Sequence, residues 1–159
     1  MTMKFKYDDI SKFMERYFST YNKYAQNPET TQRMFDYFAE DLEFSCAIAG
    51  VKGMSSRDEF LHIVSSHPSH REALKPEDIV IDERKKTVVV LATTEISDTK
   101  TDEILVKEKF FVRYQLIIDN NKTLKIRRIL LFKEILPPGS ITEVEVMKRD
   151  PITAKLYSG

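Results

Sequence analysis

The sequence predicts an α+β fold, and three observations predict it. Apolar residues recur at helical spacing in three stretches before about residue 66. From about residue 79 the period changes to two and β-branched runs dominate. Polar turns then join those runs so that neighbouring strands return antiparallel. The expectation is three N-terminal helices packed on a curved antiparallel sheet. A chain of 159 residues fits one domain, and folding at that length buries about 70% of the unfolded surface.

Helix one carries Ile10, Phe13, Met14, Tyr17, Tyr21 and Tyr24 on one face, with Asp8 or Asp9 placed to cap it and Asn27-Pro28 to stop it. Helix two is predicted from Thr30 or Thr31 to about Asp41, with Met34, Phe35 and Phe38 on one side. Leu42, Phe44, Cys46 and Ile48 then alternate with Glu43, Ser45 and Ala47, which predicts a strand with one buried face. Gly50 and Gly53 bracket a turn, and Ser56 with Glu59 forms a capping box that opens helix three, through about Ser66.

The segment "HPSHREALKPED" reads as an irregular connection with two prolines and two histidines. Strands follow at Ile79 to Asp82, Thr87 to Ile96, Ile104 to Ile118 and Leu124 to Leu136, with turns at "ERKK" and "DNNK". Pro137-Pro138-Gly139 ends the sheet, which predicts a domain over 1–136 and a C-terminal extension over 137–159. The strand "TVVVLATTEI" is apolar on both faces, with Val88 and Val90 on one side and Val89 and Leu91 on the other. Such a strand needs cover on both faces. Helices cover one; a second subunit covers the other, or else the tail folds back over it.

Composition excludes several function classes. The 25 basic and 25 acidic residues cancel, so no bulk field attracts nucleic acid or an anionic membrane. Cys46 is the only cysteine, which forbids an internal disulfide and a cysteine-based zinc site. The opening "MTMKFKYDDI" is charged where a signal peptide needs an apolar run, and no stretch reaches the ~18 apolar residues of a membrane span. A cytoplasmic protein is expected, with no cofactor and no metal.

The order of elements resembles the nuclear transport factor two superfamily, which includes SnoaL-like cyclases and ketosteroid isomerase. The resemblance covers about Tyr7 to Leu136 and rests on "ERYFSTYN" in helix one, "FAEDLEFSC" at the helix-to-strand junction and "LKIRRILLFKEIL" in the last strand. It implies a cone whose sheet and long helix enclose an apolar pocket. Ketosteroid isomerase polarises a carbonyl with a helix-one tyrosine, moves the proton with an aspartate and completes the oxyanion hole with a protonated aspartate. The resemblance places Tyr17 at that tyrosine, Cys46 at the proton-moving aspartate and Tyr114 near the second. In the dehydratases of the superfamily an acid stands five residues after the tyrosine; here that residue is Asn22.

Cys46 is therefore expected to pack as a small hydrophobe in the pocket wall. Of the three histidines, His62 falls on the solvent side, His70 lies in the irregular connection, and His67 closes helix three on the Phe60 side. Tyr17 and His67 are the catalytic candidates. The predicted pocket residues are Tyr17, Tyr21, Phe44, Cys46, Tyr114, Arg128 and Phe132. Arg128 enters through alternation, because Leu124, Ile126, Leu130 and Phe132 are placed inward while Lys125, Arg127 and Lys133 are placed outward. It would hold a ligand carboxylate or enolate, or pair with a protein acid, and a bulge would turn it out. The expected function is the binding of a small, mostly apolar molecule with one polar end by a homodimer that pairs through its sheet. The alternatives are a cofactor-free isomerase, dehydratase or cyclase, and a docking module without ligand.

Overall fold

The apolar stripe of the N-terminal segment forms helix α1, Tyr7–Thr20, and runs on as a π-helical turn, Tyr21–Ala25. The structure, a computed structural model, describes residues 4–47 and 52–157; Ile48 and Gly50 lie outside the described residues. Ile10, Phe13, Met14 and Tyr17 are buried, and Asp9 Oδ2 accepts the Lys6 backbone N–H at 2.9 Å, satisfying one orphan donor of the first turn.

The second predicted helix is a short 3₁₀ segment, Thr31–Tyr37. Strand β1, Phe38–Cys46, begins four residues earlier than its alternation suggested, because Phe38 pairs with Ile126 of the last strand and buries its ring. Helix α2, Arg57–Val64, is opened by Ser56, whose Oγ accepts the Glu59 N–H at 3.1 Å.

Strands β2 (His70–Asp82), β3 (Thr87–Asp98), β4 (Ile104–Ile118) and β5 (Leu124–Lys133) form an antiparallel meander. The sheet order is β1-β5-β4-β3-β2, and β1 runs parallel to β5. The sheet is thus mixed where a wholly antiparallel one was expected, since the helical crossover between β1 and the meander lets β1 enter beside β5 in the same direction. The connection read as irregular is strand from His70 onward: β3 is long, and its partner across a tight turn must be equally long.

Two bulges decide which side chains face inward. In β2, Glu77 is an extra residue between Pro76, opposite Ala92, and Asp78, opposite Leu91; Pro76 has no N–H to give to the ladder. In β5, Arg127 is the extra residue, since Gln115 pairs with Arg128 and Leu116 with Ile126.

The core lies between α1 and the inner face of the sheet, where Val88, Val90, Val112 and Tyr114 are buried. The C-terminal segment forms α3 (Glu143–Met147), α4 (Pro151–Ala154) and a 3₁₀ turn, Lys155–Tyr157. It closes one end of the cone: Val146 packs on Ile96 and Val106, and the Lys52 N–H donates to the Leu156 carbonyl at 3.0 Å. On the outer face Val89 and Leu91 are half-buried, and Phe111 stands directly opposite Phe132 with both rings exposed. No helix among the described residues is long and apolar enough to cross a membrane.

Candidate functional site

A cavity of about 100 Å³ lies between α1, α2, the inner face of the sheet and the C-terminal segment. Tyr17 and Tyr21 reach it from α1 and the turn that follows, Phe44 and Cys46 from β1, and Tyr114 from β4. His67, just past the end of α2, also lines it. Five of the residues expected there, Tyr17, Tyr21, Phe44, Cys46 and Tyr114, therefore meet around one space together with His67.

Arg128 and Phe132 do not belong to this wall, and this corrects the strict alternation used for the last strand. The extra residue Arg127 inverts the facing of part of β5, so Arg128 points out and pairs with Glu43 (Nε to Oε2, 2.9 Å). Phe132 is 47% exposed. Ile129, Leu131 and Lys133 take the inward places. Lys133, expected outside, keeps only 6% of its side chain exposed and makes ion pairs with Glu143 of α3 and, at 3.8 Å, with Glu108 of β4. Its ammonium lies 5.2 Å from the centre of the Phe110 ring.

Glu72 is the residue that sequence reasoning missed. It lies on β2 and lines the cavity, held by its backbone: its N–H donates to Gln26 Oε1 at 2.6 Å, and its carbonyl accepts from Gln26 Nε2. Burial pushes the Glu72 carboxyl above the ordinary carboxylate range, against the opposing fields of His67 and Lys133. The signal was available in the length of β3, which demands a partner reaching back to about residue 70.

The rings of Tyr17 and Tyr114 meet edge to face at 5.6 Å. Burial raises both hydroxyls well above their usual value, so they stay protonated and remain hydrogen-bond donors. Burial also lowers Lys133, while Glu108 and Glu72 act to raise it.

His67 and His70 stack with ring centres 4.3 Å apart. His67 Nδ1 lies 3.0 Å from the His70 carbonyl oxygen. His70 is buried at the start of β2, with Nδ1 3.2 Å from Asp150 Oδ2 and Nε2 3.1 Å from Met147 Sδ. His62 is exposed.

No family model matches the sequence, and no curated protein matches it at a significant level. Solved structures do match its fold. A protein of unknown function with a cystatin-like fold from Methylobium petroleophilum superposes with a TM-score of 0.64 at 13% identity, over 89% of this chain and 86% of that one. Nuclear transport factor 2 from Cryptosporidium parvum gives 0.62 at 12% identity, over 84% and 99%. The chain has the nuclear transport factor two-like fold. A ketosteroid isomerase-like protein from Erwinia carotovora atroseptica gives 0.56 at 15% identity, over 80% and 95%. Within this nuclear transport factor two-like cone, the place that the sequence resemblance assigned to the base holds Cys46, and the carboxyl groups that line the cavity come instead from Glu72 on β2 and Glu143 on α3.

Proposed function

We propose that this chain binds a small, mostly apolar molecule with one polar end inside the cone. The observation that carries this reading is the cavity, with a wall of aromatic and aliphatic side chains and a few convergent polar groups, the usual make-up of a small-molecule site. In the same reading the protein works in the cytoplasm as a homodimer through the outer face of its sheet. The test is a ligand-observed NMR screen of small apolar compounds bearing one polar group. Compounds that bind should lose binding to a Leu131→Trp variant, whose indole fills the cavity; a wild-type protein that takes none of them refutes the proposal.

A second reading, favoured by Glu72, is a cofactor-free enzyme of the isomerase, dehydratase or cyclase type, and one fold neighbour is described as ketosteroid isomerase-like. In it Glu72 removes a proton beside a substrate carbonyl, and the Tyr17 hydroxyl donates a hydrogen bond to the enolate oxygen. The protonated Glu72 then returns the proton to carbon. Deuterium exchange beside the carbonyl of a bound ketone in heavy water tests this step. Exchange should be catalysed by the wild-type protein and lost in Glu72→Gln with binding retained; a bound ketone that does not exchange refutes it.

A further inference from the structure

The wall of the cavity carries two carboxyl groups, Glu72 and Glu143, against one lysine, Lys133, together with the hydroxyls of Tyr17, Tyr21 and Tyr114. Among the described residues the Glu72 carboxylate makes no hydrogen bond and no ion pair, although its backbone is fully engaged. His67 Nδ1 faces the His70 carbonyl oxygen at 3.0 Å. A carbonyl only accepts, so Nδ1 carries the hydrogen of this bond. Lys133 is the lysine of the cavity wall, and its ammonium is already engaged by Glu143 and Glu108. Two carboxyl groups, Glu108 and Glu143, thus hold this lysine, and Glu72 adds to the field on it. The guanidinium that alternation had placed inside, Arg128, is on the outer surface.

Among the described residues an anionic ligand would meet a lysine already engaged by two carboxyl groups and would lie against the Glu72 carboxylate, a costly arrangement. A cation meets the opposite. It finds a carboxylate without a hydrogen-bond partner among the described residues, and the rings of Tyr17, Tyr21 and Tyr114, which cluster with centroid separations of 5.6 and 5.9 Å and attract positive charge to their faces.

We propose that the polar end of the ligand is a protonated amine, held by the Glu72 carboxylate beside the tyrosine rings. The proposal rests on the reading of the cavity as a small-molecule site and names the class of molecule it takes. The apolar remainder of the amine packs against Phe44, Met54, Phe60 and Ile63. Burial also raises the Glu72 carboxyl, so an arriving ammonium favours its ionised form and binding releases a proton when that carboxyl was protonated.

The experiment compares matched probes that differ only in their polar group: benzylamine, benzyl alcohol and benzoate, and the same comparison with butylamine, butanol and butyrate. Each is titrated calorimetrically into the full chain at about pH 7. The amines should bind at least about tenfold tighter than the alcohols, with no measurable binding of the acids, and Glu72→Gln should bring amine and alcohol within about twofold. Alcohols or acids that bind as well as the amines overturn the amine proposal and leave the small-molecule site standing. If no probe of either series binds, the small-molecule reading fails and this proposal with it. The wild-type series decides the matter without any variant should Glu72→Gln not fold.

Discussion

Arg128 Nε and Glu43 Oε2 lie 2.9 Å apart on the outside of the cone, whereas Lys133, five residues further along the same strand, is inside with its charge between Glu108 and Glu143. The two cations therefore differ in what their loss should cost. The Arg128 pair is more than half exposed on both sides, so Arg128→Ala should change stability by less than about 1 kcal/mol. Lys133→Ala strands two buried carboxyl groups and should cost about 3 kcal/mol. Urea unfolding of both variants checks the pair of values, and equal losses would contradict the inversion at Arg127.

Acid should weaken the protein through His70. Burial and the neighbouring His67 push this imidazole down to about 4, while Asp150 pulls the other way and Arg149 adds to the fall. In the unfolded chain a histidine titrates near 6.5. Between those values the unfolded state takes up a proton that the folded state refuses, so stability is complete above about pH 6.5 and falls as pH drops toward about 4. The raised Glu72 and Glu108 carboxyls slope the opposite way, because they hold their protons more tightly when folded. Thermal midpoints measured from about pH 7 to about pH 4 should fall for the wild type and fall less for His70→Gln. An unchanged slope in the variant would remove His70 as the cause.

The outer row Leu91, Phe111 and Phe132 runs across three adjacent strands, and Phe111 and Phe132 are 55% and 47% exposed. A second copy of the chain would cover it. Sedimentation at micromolar concentration should give twice the 18.6 kDa chain mass, and Phe111→Glu with Phe132→Glu should give the single-chain mass with the fold intact. A wild-type monomer would rule the dimer out.

The sequence by itself determined the class of fold and most of the wall. The helical stripe from Ile10 to Tyr21 and the period-two strand at Leu42, Phe44 and Cys46 each follow from a local rule, and each appears in the structure with its apolar side toward the core. Tyr17 and Tyr114 also reach the cavity from elements that were legible in outline. What only the tertiary structure decided is the polarity of the site. Alternation assumes an unbroken ladder, and one inserted residue, Arg127, exchanged Arg128 and Phe132 for Leu131 and Lys133. The segment around Glu72 looked irregular because prolines and charges outnumber its apolar residues; its strand character comes from pairing with β3, an interaction between segments about twenty residues apart. The C-terminal segment, read from the sequence only as an extension, gains its place from packing Val146 on Ile96 and Val106 and from the ion pair of Glu143 with Lys133. Local periodicity sets which face of an element is apolar. Only contacts between elements set which charges share a cavity, and the charges decide what the cavity can hold.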